Sequence, residues 1–160
     1  MKPLLTNNFL DYFLKLELKD KTLLEIGAGD STVFFSKVFK KIISFEDNKT
    51  ILDNLNKLKI PNVHMFLFND ENIEDLIIPY LYEHNLVILI DNNSNKTSRM
   101  KIARFVDKHI KKSTIIILDN GETNLDAYLF LKSKYFCLDF PGKRYDNTNS
   151  LTTMFFNESN

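Results

Sequence analysis

Residues Leu23 to Thr32 read Leu-Leu-Glu-Ile-Gly-Ala-Gly-Asp-Ser-Thr, an apolar run that enters a Gly-x-Gly turn and leaves it on two hydroxyl residues. Few folds accept that order. A buried strand has to end at the glycines and a helix has to open on Ser31 and Thr32. Backbone N–H groups at the helix start can then approach a polar ligand with no side chain in the way. A second apolar run (Ile42, Ile43, Phe45) ends in Glu46, placed to accept hydrogen bonds from two ribose hydroxyls. Together these features point to a site for an adenosine-containing cofactor.

Strands and helices alternate along most of the chain. Phe9, Tyr12, Phe13 and Leu16 recur at helical spacing and give an amphipathic leading helix. Strands are expected at Leu23–Ile26, Ile42–Phe45, Val63–Phe68, Leu86–Ile90 and Thr114–Leu118. The helices between them are expected over Ser31–Phe39, Lys49–Leu58, Ile73–Tyr82 (where Pro79 kinks or ends it) and Thr97–Ile110. Leu125, Tyr128, Leu129 and Lys132 mark a further helix. The alternation calls for a parallel sheet with helices on both faces. It then stops: Phe136–Phe140 and Thr152–Phe156 read as two strands separated only by a turn-rich stretch from Pro141 to Ser150.

The chain of 160 residues is expected to be one domain, 1–160, with no room for a separate substrate domain. Its 21 basic and 21 acidic residues balance, so nothing suggests electrostatic capture of nucleic acid. Cys137 is the only cysteine, which excludes an intramolecular disulfide and a multi-cysteine zinc site. No signal-peptide pattern opens the chain, and no apolar run approaches the roughly 18 residues of a membrane span. A reduced, cytoplasmic setting is expected, and homo-oligomerisation is left open.

A dinucleotide fingerprint wants a third glycine where this chain has Thr32, which disfavours a nicotinamide cofactor. The block Glu-Ile-Gly-Ala-Gly-Asp-Ser-Thr instead resembles the first motif of class I S-adenosylmethionine-dependent methyltransferases. The likeness extends from the leading helix to the last strand. It implies an α/β, Rossmann-like three-layer sandwich, with a seven-stranded, mostly parallel sheet whose C-terminal hairpin strand inserts antiparallel beside the fifth. It also implies that Glu25, Gly27, Ala28, Gly29, Ser31 and Thr32 receive the methionine part of the cofactor and that Glu46 holds the ribose. The plain alternative is an α/β protein whose glycines only make a tight turn.

In an open parallel sheet, ligands bind outside the carboxyl ends of the strands. Acidic or amide residues follow every expected strand except the first: Glu46, Asn69-Asp70, Asp91 and Asp119-Asn120. By the resemblance, Asp70 takes the adenine amino group; as a residue it would equally cap the following helix. Metal-dependent small-molecule O-methyltransferases of the catechol type carry an Asp after strand four and an Asp-Asn pair after strand five. That likeness assigns Asp91, Asp119 and Asn120 to a magnesium ion (Mg2+), which prefers oxygen ligands, and Lys96 to the role of base. The family's spacing to that lysine is shorter, since Asn92-Asn93-Ser94-Asn95 intervenes here. Asp91 could instead hold cofactor or assist catalysis itself, and Asp119-Asn120-Gly121 is also a good turn sequence.

His64, His84 and His109 lack the spacing of a zinc site. The Asp-Asn-Asn-Ser after strand four is not the Asn-Pro-Pro-Tyr or Asp-Pro-Pro-Tyr of enzymes that methylate nucleic-acid nitrogen. The expected function is methyl transfer from S-adenosylmethionine to a small molecule at oxygen, without nucleic-acid or membrane partners. The rival is a non-catalytic module of the same fold that binds S-adenosylmethionine or another protein.

Overall fold

The computed structural model describes residues 2–93 and 95–157. Seven strands form one sheet: β1 (Thr22–Ile26), β2 (Lys41–Glu46), β3 (Val63–Leu67), β4 (Leu86–Ile90), β5 (Ile115–Leu118), β6 (Phe136–Lys143) and β7 (Asn149–Phe156). Their spatial order is β3-β2-β1-β4-β5-β7-β6. The first five run parallel, and β7 lies antiparallel between β5 and β6. Six α-helices flank the sheet: α1 (Asn7–Phe13), α2 (Asp30–Phe35), α3 (Lys49–Asn56), α4 (Ile73–Ile77), α5 (Arg99–His109) and α6 (Leu125–Lys132). This is a Rossmann-like three-layer arrangement.

Residue alternation along the strands divides the core between two faces. Leu24, Ile26, Ile88, Ile90, Ile116 and Leu118 meet Ile73 and Ile77 of α4, Ile102 and Val106 of α5, and Leu131 of α6. On the other face Leu23, Ile42, Val87, Leu89 and Ile117 meet Phe9 and Phe13 of α1 and Phe35 of α2. Both faces are covered, so β1 and β4 are buried throughout, and β4 is a continuous apolar run. Each such buried Leu, Ile or Phe contributes about 1.5–3 kcal/mol. Glu25 is the exception, a carboxylate at a core position of the face that carries α2.

The ladder of backbone hydrogen bonds continues one residue beyond the central strands. Gly27 N–H donates to Phe45 O, Asp91 N–H to Ile26 O and Asp119 N–H to Ile90 O. The residues after β1, β4 and β5 are thereby fixed side by side at one edge. From β1 the chain crosses to β2 on one side, while β4 lies on the other, so the crevice of the fold opens at β1.

Element ends moved where turn chemistry prevailed. The helix expected over Ser31–Phe39 is α-helical only to Phe35, and Ser36 then turns its hydroxyl onto Val33 O. The α-helix at Ile73 stops at Ile77, and Pro79 sits in a 3-10 turn over Ile78–Tyr80, as its fixed φ and missing N–H require. The largest correction is the hairpin. Pro141–Lys143 is strand rather than loop, pairing in register with Leu151, Ser150 and Asn149. Because β6 is an edge strand, Pro141 lacks an N–H where none is needed, and Asn8 Nδ2 donates to its carbonyl. Among the described residues no helix is long and apolar enough to cross a membrane.

Candidate functional site

A cleft of about 290 Å³ opens at the carboxyl edge of β1, lined by Gly27 to Ser31, Glu46, Asp91 and Asn93, with Leu4 and Ile51 at its apolar side. The two glycines play different parts. Gly27 has φ +102°, and a Cβ there would lie 2.5 Å from Asp91 O, so the close approach of the β1 and β4 ends requires glycine. Gly29 is extended, and a Cβ on it would meet nothing within 4 Å. The space that its missing side chain leaves is cleft.

Beneath this turn lies Glu25, fully buried. Parallel pairing sets it beside Ser44 of β2, whose Oγ donates to it at 2.5 Å. Ser31 Oγ and Thr32 Oγ1, in the first turn of α2, donate at 2.5 and 2.6 Å, and Thr32 Oγ1 accepts the Gly29 N–H. Burial pushes the Glu25 carboxyl above its ordinary range, and the hydroxyl donors oppose that rise. Glu25, Ser31 and Thr32 therefore hold one another and fix the shape of the glycine turn. Their side-chain polar groups are committed before any ligand arrives.

Glu46 ends β2 and faces the cleft. Its Oε1 accepts the Asn48 N–H at 2.9 Å, and the Ala28 N–H also reaches its carboxylate. Burial pushes it up to about 7 against those donors, with the adjacent Asp47 carboxyl adding to the rise. Asp47 is itself nearly enclosed. Its Oδ1 accepts from Lys96 Nζ at 3.1 Å, and its Oδ2 is buried with no hydrogen-bond partner among the described residues. Lys96, expected as a base, thus lies on Asp47 and outside the cleft lining. Ser94, within the expected Asn92–Asn95 insertion, lies outside the described residues.

At the ends of β4 and β5 the carboxylates are held by arginines. Arg99, the first residue of α5, donates Nε to Asn92 O, one terminal nitrogen to Asp119 O and the other to Asp91 Oδ1. Asp119 is buried, its Oδ1 bonded to Thr152 Oγ1 at 2.7 Å and its Oδ2 to Arg144 at 2.6 Å. Burial drives both carboxyls upward; Asp119 reinforces the rise at Asp91, while Arg99 and Arg144 oppose it. Asp91 alone of the pair reaches the cleft, with about a fifth of its side chain exposed.

This geometry does not support the expected magnesium site. The oxygens of Asp119 and Asn120 are engaged by other side chains. Both oxygens of Asp119 are occupied by Arg144 and Thr152, and Asn120 is a left-handed turn residue, φ 53°, whose Oδ1 accepts from Ser150 Oγ. The turn reading of Asp119-Asn120-Gly121 is the one realised. Among the described residues no three His, Cys, Asp or Glu side chains are grouped to hold a metal ion.

Asp70 lies half exposed outside the cleft lining, paired with Lys101 at 3.2 Å. Nor does it cap α4. Asn72 occupies that position, and Asn69 Oδ1 accepts the N–H groups of Glu71 and Asn72. Sequence reasoning missed Arg99, Arg144 and Asp47. For Arg99 the signal was its phase: it shares the inward face of its helix with Ile102, Ala103 and Val106. A buried arginine there must find acceptors, and the strand ends supply them. Arg144 gave no local signal, since its partner is 25 residues away.

No family model matches this chain, and no curated protein matches its sequence. Solved structures do match its shape. An O-methyltransferase from Bacillus cereus in complex with SAH has a TM-score of 0.74 at 15% identity, over 93% of this chain and 79% of that one. A methyltransferase-like protein from Streptococcus mutans, also in complex with SAH, has a TM-score of 0.60 at 17% identity, over 91% and 93%. An rRNA methylase from Streptococcus thermophilus has 0.64 at 16% identity, over 94% and 95%. At these identities the likeness speaks for architecture, and the chain has the Rossmann-like fold of class I S-adenosylmethionine-dependent methyltransferases.

Proposed function

We propose that this protein transfers a methyl group from S-adenosylmethionine to an oxygen of a small molecule. The observation that carries the reading is the cleft at the end of β1. It has a glycine turn with open space at the missing Gly29 side chain, and its carboxylates Glu46 and Asp91 stand on opposite sides of that turn. These residues fit an adenosine-containing cofactor. Glu46 would accept from the ribose, and the backbone of Gly27 to Ser31 would receive the methionine part. When bound, S-adenosylmethionine supplies a methyl group made electrophilic by its positive sulfur.

The chain's own contribution is alignment, exclusion of water and management of one proton. Asp91 is the titratable group positioned for the proton, since it alone of the β4 and β5 carboxylates reaches the cleft. Its raised affinity for a proton suits a base working near neutrality. Arg99 holds the other side of its carboxylate and fixes its orientation. The balanced charge of the chain favours a small substrate over nucleic acid.

A second reading is supported by the ion pairs Arg99–Asp91 and Lys96–Asp47, which occupy the side chains best suited to act as bases. On that reading the protein binds S-adenosylmethionine without transferring its methyl group. Calorimetry with S-adenosylhomocysteine tests the shared step, and binding with NAD excluded is expected. Transfer of labelled methyl to a panel of phenols, catechols and hydroxy acids separates the two. Asp91→Asn should lower turnover at least tenfold with cofactor affinity nearly unchanged. Absence of S-adenosylhomocysteine binding would sink both readings.

A further inference from the structure

The helices α4 and α5 present a face that the cleft at β1 does not use. A groove of about 420 Å³ runs between them, lined by Glu74 of α4 and by Met100, Lys101, Arg104, Phe105 and Lys108 of α5. None of these residues lines the cleft. The core fixes the phase of both helices. Ile73 and Ile77 turn inward on α4, as Ile102, Ala103 and Val106 do on α5. Lys101, Arg104 and Lys108 therefore recur along the outer side of α5 as a basic ridge. Glu71, just before α4, and Glu74 and Asp75 on it form an acidic ridge alongside.

One pair already joins the two ridges within the chain, Lys101 Nζ lying 3.2 Å from Asp70. The remaining charges are unmatched. Among the described residues Glu71, Glu74 and Asp75 form no ion pair, nor do Arg104 and Lys108. Glu71, Asp75, Arg104 and Lys108 are exposed, and Met100 and Phe105 are only half-buried between the ridges. Ile78, one helical turn on from Asp75, is 36% exposed. An acidic ridge beside a basic one is complementary to itself. A two-fold axis along the groove lays α5 of one copy on α4 of the other, and does so twice. A nucleic-acid strand or an acidic peptide would meet the cations but set its own charge against Glu71, Glu74 and Asp75. A second copy meets both signs.

We propose that the α4–α5 face is a self-association surface, on which a second copy of this chain packs about a two-fold axis along the groove. The acids of each α4 then stand against Arg104 and Lys108 of the other copy, with Met100 and Phe105 enclosed between them. Exposed ion pairs add little affinity singly, so the apolar floor holds the copies together while the charges set their register. Methionine suits that floor, because its flexible thioether fills irregular gaps. The pairing does not depend on which ligand the cleft takes.

The test is analytical ultracentrifugation of the full chain over a concentration series, with each variant first shown by circular dichroism to be folded. Wild type should pass from monomer to dimer as concentration rises. Arg104→Glu with Lys108→Glu should weaken the dimer about tenfold, and Glu71→Lys with Asp75→Lys should do the same. Mixing these two double variants should restore association as a heterodimer, since one carries two acidic ridges and the other two basic ones. All four positions are exposed, so folding should survive the changes. A wild type that stays monomeric throughout would overturn the pairing, as would a dimer that neither charge reversal weakens or a mixture that fails to associate. A monomer that instead binds labelled oligouridine or polyglutamate, and loses that binding on Arg104→Glu with Lys108→Glu, would assign the basic ridge to an anionic partner and overturn the pairing too.

Discussion

Gly27 and Gly29 stand two residues apart and answer to different constraints. At Gly27 the backbone is left-handed and the Asp91 carbonyl blocks a Cβ, so Gly27→Ala should cost at least about 2 kcal/mol in urea unfolding. At Gly29 the backbone is extended and the Cβ direction is open, so Gly29→Ala should cost no more than about 1 kcal/mol. The added methyl enters the cleft instead, and S-adenosylhomocysteine affinity should fall about tenfold or more. Equal effects of the two substitutions on stability would contradict this division. Glu46 carries a second prediction at this scale. Its carboxyl, raised from 4.5 to about 7, keeps a proton in the folded chain at pH values where the unfolded chain has released it. The stability so contributed is complete below the unfolded value and is lost as pH rises through about 7. Unfolding free energy should therefore fall between about pH 5 and pH 7.5, and Glu46→Gln should make that fall shallower. A Glu46→Gln profile parallel to wild type would contradict the shift. The other raised carboxyls, Glu25, Asp91 and Asp119, act in the same sense, so the flattening should be partial.

At the scale of elements, α5 does more than cover the sheet. Through Arg99 its first turn holds the ends of β4 and β5 together, and through Arg144 the β6–β7 hairpin holds Asp119 from the other side. Removing the guanidinium leaves Asp91 without its partner and two carbonyls without donors. Arg99→Met should destabilise by about 3–5 kcal/mol, and Arg99→Lys should not restore the loss, because one ammonium cannot span three divergent acceptors. Chemical denaturation of both variants checks this. These elements also show what a sequence discloses. The β1 turn, the acidic end of β2 and the buried β4 were legible because each is a local pattern of a few residues. The hairpin was misread over Pro141–Lys143 because its strand character comes from pairing with β7, reinforced by Thr6, just before α1, and Asn8 of α1, which bond to Phe140 O and Pro141 O. The magnesium triad finds no support for a similar reason. Asp119 and Asn120 have the right composition and position along the chain. Arg144, Thr152 and Ser150, which occupy their oxygens, come from a hairpin that pairing brings beside β5.

Across the whole molecule, a polar seam runs through the largely apolar interior. It starts at Ser44 and Glu25, reaches the cleft through Ser31 and Thr32, and resumes at Asp91. It then passes through Arg99, Asp119 and Thr152 to the Thr6 N–H just before α1. The seam joins the strand ends from β2 to β7 and places the cleft between the glycine turn and the arginine pair. A ligand that fills the cleft beside Glu46 and the glycine turn should therefore stabilise the sheet as a unit. For a ligand at 100 times its Kd the gain is about 2.7 kcal/mol, and for a chain of this size that raises Tm by roughly 5–11 °C. S-adenosylhomocysteine should produce that rise in a single, sharper transition, and NAD at the same concentration should produce none, because Thr32 fills the place where a dinucleotide turn needs glycine. Differential scanning calorimetry decides it. If the endotherm split in two, with only one part shifting, the ligand would be stabilising a fragment and residues 1–160 would not unfold as one domain. An equal rise with NAD would mean that the glycine turn recognises adenosine alone, with no preference for the methionine part.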